Sequence, residues 1–313
     1  MTLDPTNPYP FLVRREPEPP RRHAPPGNLL KLESPCAPLA AARPQTVHRS
    51  TDLGSLAGRY DLVLCDVFGV LHDADQVYAK AAEALTRARR RGMAVVLISN
   101  SVLCGAALRR SLEARGIAPE ICDAAVTSGD VTRNLLRSEA VSRIYHLGPT
   151  REAVLLDGLD LELVPVRDAE LIVCTGFEEP ADDDARAALL ASARKRNLVL
   201  VCTNPDRLAE TPTGPLRFAG LIAEAYESLG GRVVLTGKPD RSIYVAAVAE
   251  AERIRDGPIE ADRILAIGDA WSMDIAGAVA CGFDAVWITL EGAAGVDESL
   301  ARPSVRRMAG LAW

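Results

Sequence analysis

The stretch DLVLCDVFGVL, residues 61–71, places a carboxylate in the middle of an apolar run. The residues 62–65 predict a buried strand, and Asp66 follows at its carboxyl end. Open α/β sheets place their functional groups at that edge of the sheet. An Asp at the end of a strand can also cap a turn or a helix, so this stretch alone leaves catalysis and capping both open.

The chain around this stretch alternates apolar runs with helical patterns. Apolar runs at 62–67 and 94–99 are followed by amphipathic segments at 79–91 and 106–115, and each segment ends at a glycine. The order strand, helix, strand, helix predicts a parallel sheet with helices packed on it. We therefore predict an α/β fold with a Rossmann-like parallel-sheet core.

A second set of elements interrupts this core. Apolar runs at 171–174 and 198–202 and helical patterns at 185–194 and 219–229 predict another, smaller α/β unit. Polar groups with related chemistry stand on both sides of it, which indicates an inserted domain that can close over a site. The predicted domains are a tail (1–57), a core (58–140 and 232–313) and an inserted α/β cap (141–231).

The N-terminal segment has a different composition. Residues 1–50 hold eleven of the twenty-one prolines and show no sustained apolar period. Such a segment is typical of a flexible or loosely extended tail, and a proline-rich ligand for a partner domain is the alternative.

The overall composition excludes several classes of protein. A formal net charge of -6 offers no excess of base for nucleic acid. No apolar stretch approaches the ~20 residues that span a bilayer, and the first residues lack the order of a signal peptide. The seven cysteines contain no C-x-x-C pair, which fits a reducing compartment. We predict a cytoplasmic protein without nucleic-acid or membrane partners.

Three further polar groups follow in order. Ser99 and Asn100 close an apolar run, Lys238 stands between Gly and Pro, and the segment GDAWSMD, residues 268–274, follows another apolar run. Its two carboxylates, five residues apart, can converge on one hard cation, and Mg²⁺ binds a few carboxylates together with water and phosphate oxygens. Asp269 as a helix cap is the alternative, but it leaves Asp274 unexplained. With Asp66, these groups predict magnesium-assisted phosphoryl transfer.

The order of these groups resembles the four motifs of the haloacid dehalogenase superfamily. The inserted segment resembles the smaller α/β cap of its subclass IIA, because TNPD at 203–206 is similar to the signature of such caps and 226–239 match that subclass. The segments 69–72 and 127–130 resemble a poorly characterised bacterial branch of hydrolases. The resemblance covers about residues 58–295 and leaves the tail outside it.

The resemblance implies a mechanism. Asp66 would attack phosphorus and form an aspartyl-phosphate, while Ser99 and Lys238 would hold the transferring oxygens. A Mg²⁺ ion would neutralise charge between nucleophile and phosphate. The implied metal ligands are Asp66, the backbone carbonyl of Phe68, Asp269 and Asp274. The implied phosphate and substrate contacts are Phe68, Gly69, Asn100, Asn204 and Asp206.

One position departs from the family pattern. Phosphatases of the family carry a second aspartate two residues after the nucleophile, as general acid and base, and this chain has Phe68 there. General acid-base catalysis typically raises the rate about 10²- to 10⁴-fold, so we expect slow turnover. We also expect a preference for substrates whose leaving group departs unprotonated, such as aryl or acyl phosphates. The side chains His72, Asp73 and Asp75 are candidate substitutes.

The sequence thus predicts a magnesium-dependent phosphate monoester hydrolase acting on a small phosphorylated metabolite. The alternative is a phospholigand-binding or partner-binding protein that kept the pocket and lost turnover. Homodimerisation through the cap is implied by the resemblance alone.

Overall fold

The structure is a computed structural model. It describes residues 47–49, 52–178, 182–209, 214–289 and 304–313. Most of the predicted tail lies outside the described residues, so its flexibility stays a prediction.

The described chain alternates strands and helices. The strands are β1 Val47–Arg49, β2 Leu62–Cys65, β3 Ala94–Ser99, β4 Ala124–Thr127, β5 Arg143–Leu147, β6 Glu162–Leu163, β7 Leu171–Cys174, β8 Val199–Cys202, β9 Leu208–Ala209, β10 Leu216–Arg217, β11 Arg232–Leu235, β12 Ile264–Gly268, β13 Asp284–Ile288 and β14 Val305–Met308. The helices are α1 Ala79–Arg90, α2 Gly105–Ala114, α3 Ser128–Ser138, α4 Asp183–Lys195, α5 Ala219–Ser228, α6 Arg241–Arg255 and α7 Ala276–Ala280.

Contacts group the described residues into two compact units. One comprises 52–131, 214–215, 236–289 and 304–313 together with β1, and the other comprises 132–178, 182–209 and 216–235. The first unit holds a parallel seven-stranded sheet in the order β1-β14-β13-β12-β2-β3-β4. This confirms the predicted parallel α/β core.

The continuous apolar runs of this sheet reflect burial on both faces. Alternate residues of β2 belong to different apolar clusters: Val63 and Cys65 pack on the face that α1 and α2 cover, and Leu62 and Leu64 pack on the α6 face. A strand covered on both sides has no polar face, which is why its sequence shows a run rather than an alternation.

The end of the predicted tail is part of this unit. Strand β1 pairs in parallel with β14, and Leu53 and Leu56 are buried in the apolar cluster. The prediction of a tail up to residue 57 is therefore too long, because its last residues bury apolar side chains.

The second unit has its own parallel sheet, in the order β11-β8-β7-β5-β6. Strand β11 pairs with β8 through Arg232 to Leu235, so this sheet extends past residue 231, the predicted end of the insert. A short antiparallel pair, β9 and β10, belongs to the same part of the chain.

The burial of His146 on β5 predicts that the stability of the protein depends on pH. Its Nε2 lies 2.9 Å from Thr175 Oγ1, and burial lowers the pKa of His146 from 6.5 to about 4. Between these two pKa values His146 is therefore protonated in the unfolded chain and neutral in the folded chain. The free energy of unfolding consequently decreases as the pH falls through this range. We expect about 2 kcal/mol less free energy of unfolding at pH 5 than at pH 7.5 from this group.

Urea unfolding of the wild type and of His146→Gln at both pH values measures this contribution. The glutamine variant should show a pH dependence smaller by that amount, whatever its absolute stability. Equal pH dependence in both proteins would contradict the assignment to His146.

No helix among the described residues is both long enough and apolar enough to cross a bilayer.

Candidate active site

The strand order of the first unit reverses between β2 and β12. From β2 the chain proceeds to β3 and β4 on one side, whereas β12, β13 and β14 lie on the other. A crevice opens at the carboxyl ends of the strands at such a switch point. Asp66 follows β2 and Asp269 follows β12, and the Asp66 N–H donates to the Ile267 carbonyl at 2.8 Å. Two predicted site carboxylates thus stand at this crevice.

Lys238 connects two of the site carboxylates. Its Nζ donates to Asp66 Oδ1 and, at 2.6 Å, to Asp274 Oδ1. All three side chains are buried, with Lys238 only 3% exposed. An ammonium group removed from water needs such charged partners, so the three groups hold one another in place.

Burial and neighbouring carboxylates disfavour the ionised form of Asp66. Burial raises the pKa of Asp66 well above its usual range. The Lys238 ammonium acts in the opposite direction, and the carboxylates of Asp274 and Asp269 add to the rise. The site holds more negative charge than one lysine compensates.

Asp269 completes the carboxylate group. Oxygen atoms of Asp66, Asp269 and Asp274 lie within 4.8 Å of one another, with Asp269 exposed and the other two buried. Gly69 has φ +85°, and a Cβ there would lie 2.0 Å from Asp269 Oδ2. Only glycine allows the loop after β2 to approach the Asp269 carboxylate this closely.

The turn after β12 brings Asp274 back to the strand. Residues Trp271–Ile275 form a π-helical turn, and Asp274 Oδ2 accepts the Ala270 N–H at 3.0 Å. A Cβ at Gly268 would lie 2.2 Å from Asp274 Cβ. Asp274 therefore bonds back to the N–H at the start of its own turn, and the N-cap position of this turn is Ala270 rather than Asp269.

Asn100 has a partner that the sequence did not indicate. Its Nδ2 donates to the Lys238 carbonyl at 3.1 Å, and its Oδ1 accepts the Lys238 N–H at 2.7 Å. This pair of bonds ties the end of β3 to the backbone of Lys238. The geometry gives Asn100 a role in placing Lys238, and its predicted phosphate contact stays a prediction.

Ser99 ends β3, the neighbour of β2. Its Oγ accepts the Ser101 N–H at 3.2 Å, which leaves the hydroxyl proton able to donate to an incoming oxygen. The side chain is half-buried.

Phe68 lies in the loop between Asp66 and Gly69, where the family pattern has an acid. Its side chain is 42% exposed, and its ring meets the His72 ring edge-on at 5.8 Å between centroids. His72 is buried and its Nδ1 lies 2.8 Å from the Asp73 carbonyl oxygen. The loop presents an apolar ring at the position of the missing carboxylate.

Asp73 is a poor substitute acid. Its carboxylate accepts the Tyr78 hydroxyl and the N–H groups of Gln76 and Asp75. These bonds, led by that of Tyr78, hold the pKa of Asp73 well below its usual range. A carboxyl group that stays ionised in this way has no proton to give to a leaving group.

The two predicted substrate contacts of the insert belong to the second unit. Asn204 is buried, and its Oδ1 accepts the Asp206 N–H at 3.1 Å, which forms a tight turn after β8. Thr203 Oγ1 donates to the Cys174 carbonyl at 2.9 Å. The segment 203–206 thus lies at the carboxyl edge of its own sheet, and its substrate contacts stay predictions.

Sequence reasoning missed Trp287. This residue lies on β13, next to β12, and its Nε1 donates to the Asp269 carbonyl at 2.9 Å. Its ring packs against Trp271 at 4.9 Å between centroids. The only signal in the sequence is an apolar run at 285–288, which carries no information about a contact with Asp269.

Comparison with known proteins agrees with this geometry. A family model described as haloacid dehalogenase-like hydrolase matches residues 114–282, and a second model of the same description matches 63–162. The chain belongs to the haloacid dehalogenase-like hydrolases. Within them, it falls among the phosphatases of subclass IIA.

Individual relatives of this haloacid dehalogenase-like hydrolase differ in their names. A crystal structure of a haloacid dehalogenase-like hydrolase from Brucella suis 1330 is 37% identical, has a TM-score of 0.75 and covers 84% of this chain and 99% of its own. Sugar-phosphatase AraL of Bacillus subtilis (strain 168) is 28% identical over 68% of this chain and 77% of its own length. Chronophin of Rattus norvegicus is 27% identical over 81% of this chain and 84% of its own.

Proposed function

We propose that this hydrolase is a magnesium-dependent phosphate monoester hydrolase that works through an aspartyl-phosphate on Asp66. The observation that carries the proposal is the buried Lys238 shared by Asp66 and Asp274, with Asp269 beside them at the switch point of the sheet. This arrangement brings a carboxylate nucleophile, a cation and a candidate metal site together at one edge of the core sheet.

The donor set fits a magnesium ion. Three carboxylates face one ammonium group, and Mg²⁺ binds through a few carboxylates together with water and phosphate oxygens. Asp66, Asp269 and Asp274, with the Phe68 backbone carbonyl, would hold it. The ion would supply positive charge beside the phosphoryl oxygens.

The residues would divide the reaction as follows. An Asp66 oxygen forms a bond to phosphorus while the bond from phosphorus to the leaving oxygen breaks, and the leaving group takes the electron pair. Lys238 and the Ser99 hydroxyl bind phosphoryl oxygens. Water then attacks the phosphorus of the aspartyl-phosphate while the bond from phosphorus to the Asp66 oxygen breaks; the Asp66 carboxylate is restored, and the released inorganic phosphate keeps the protons of the water.

The absence of a carboxyl group at position 68 limits the leaving group. Phe68 has no proton to donate, and the neighbouring Asp73 is held in its ionised form. A leaving group whose oxyanion is stable, such as a phenolate or a carboxylate, departs without help. We therefore propose aryl and acyl phosphates as better substrates than sugar or alkyl phosphates.

Phosphate release tests this proposal. Purified protein would be assayed with an aryl phosphate and with a hexose phosphate, in Mg²⁺ and after chelation with EDTA. Release from the aryl phosphate that requires Mg²⁺ and greatly exceeds release from the hexose phosphate is the expected result. Equal rates on both substrates would contradict the acid-less site, and release from neither would favour a phospholigand-binding protein, the alternative that Phe68 at the acid position supports.

Trp287 provides a separate test of the metal site. Its bond to the Asp269 carbonyl and the Gly69 contact hold Asp269 from two sides. Groups that orient a metal ligand typically contribute about 10- to 100-fold to metal affinity. Trp287→Phe, which removes the N–H and keeps an aromatic ring, should weaken Mg²⁺ or Mn²⁺ binding by about tenfold in a calorimetric titration.

Trp313→Phe is the matched control for this measurement. Trp313 packs near Gly54 and Arg91, away from the residues assigned to the metal. Its variant should bind the metal as the wild type does. Unchanged affinity in Trp287→Phe would contradict the role given to the Trp287 bond.

A further inference from the structure

Phe68 is exposed, whereas the apolar side chains nearest to it in the chain are buried. The Phe68 side chain is 42% exposed, whereas Val67, Val70 and Leu71 are at most 2% exposed. Exposed aromatic rings are costly in water, and they are enriched where a protein binds a partner or ligand. The apolar group at this position is therefore available for contact.

The ring is held in place by the loop itself. The Phe68 and His72 rings are nearly perpendicular, at 89°, and His72 is buried. The Gly69 N–H donates to the His72 carbonyl at 2.8 Å, which closes the loop between them. A preorganised ring loses little conformational freedom when a ligand packs on it.

The backbone that carries the ring lies next to the reacting groups. Phe68 is two residues from Asp66, and the following residue, Gly69, contacts the Asp269 carboxylate. Leu103, in the loop after β3, is 43% exposed at the same edge of the sheet, and the Trp271 and Trp287 rings pack beside Asp269. An edge of the sheet that carries both the carboxylates and accessible apolar side chains suits a phosphate attached to an apolar body.

We propose that Phe68 is a specificity-determining residue that binds the flat ring of an aryl phosphate and selects aryl over acyl phosphates. This inference rests on the proposed hydrolase function. Both substrate classes carry the same phosphoryl group and a leaving group that departs without a proton. Only the aryl ring can pack against the ring of Phe68, and such pairs are favourable in edge-on or offset arrangements.

The test is the ratio of kcat/KM for p-nitrophenyl phosphate to kcat/KM for acetyl phosphate. In Phe68→Ala this ratio should fall about 3- to 10-fold, the range that aromatic pairs typically contribute. In Phe68→Tyr the ratio should stay near the wild-type value, and in Phe68→Leu it should lie between the two. Melting temperatures of the variants would be recorded beside the kinetics.

The outcomes separate this inference from the proposed function. A ratio that is the same in Phe68→Ala and the wild type overturns the inference, even where both rates fall together through an effect on the metal. Release from neither substrate by the wild-type protein overturns the proposed function, and the inference with it. A ratio that falls in Phe68→Ala and stays near the wild-type value in Phe68→Tyr supports both the inference and the proposed function.

Discussion

Replacement of Asp66 by Asn should lower kcat for an aryl phosphate by at least about 10⁴-fold, because the amide cannot form the aspartyl-phosphate. The substitution keeps the shape of the side chain. It also relieves charge crowding, since burial and the carboxylates of Asp274 and Asp269 raise the pKa of Asp66. Lys238 keeps Asp274 as its charged partner. We therefore expect a melting temperature, measured without metal, equal to or above that of the wild type.

Asp256→Asn is the matched control for this variant. Asp256 is exposed directly after α6 in a left-handed conformation that Asn also adopts, so the same chemical change there should leave turnover intact. Borohydride reduction of acid-quenched wild-type protein should convert an acyl phosphate at residue 66 into homoserine, detectable by mass spectrometry. Residual activity above about 1% in Asp66→Asn would contradict the nucleophilic role.

Replacement of Phe68 by Asp should raise kcat for a hexose phosphate by about 10²- to 10⁴-fold, the usual contribution of a general acid. The new carboxyl group would stand two residues after the nucleophile, where the family resemblance implies an acid. Folding should be little affected, because the wild-type ring is 42% exposed. The gain on an aryl phosphate should be smaller, because a phenolate leaves without a proton.

Phe68→Asn separates proton donation from the loss of the ring. It has nearly the same shape as the Asp variant and cannot donate a carboxyl proton. The hexose phosphate rate of Phe68→Asn should stay at the wild-type level or below it, and only the Asp variant should lose activity as pH rises. Equal gains in both variants would show that the ring obstructs the site and that the missing acid is not the limit.

The class of the fold was accessible from local patterns because the strands of the core are buried on both faces. The predicted runs at 94–99 and 171–174 coincide with β3 and β7. The sequence patterns did not predict strands β1 and β14. The segment of β14 reads VRRM, and two arginines in four residues leave no apolar run to recognise. Pairing with β13, decided by the tertiary structure, makes this segment a strand.

For the site, the sequence by itself determined the α/β class, the strand ends that carry Asp66 and Asp269, and the glycine at position 69. Each is a short-range feature, since apolar runs and turn residues act on their immediate neighbours. The tertiary structure decided which groups meet. Lys238 bonds Asp66 from 172 residues away, and its backbone bonds the Asn100 side chain across 138 residues. Strand order sets these contacts, and strand order depends on how whole elements pack, which no local pattern encodes.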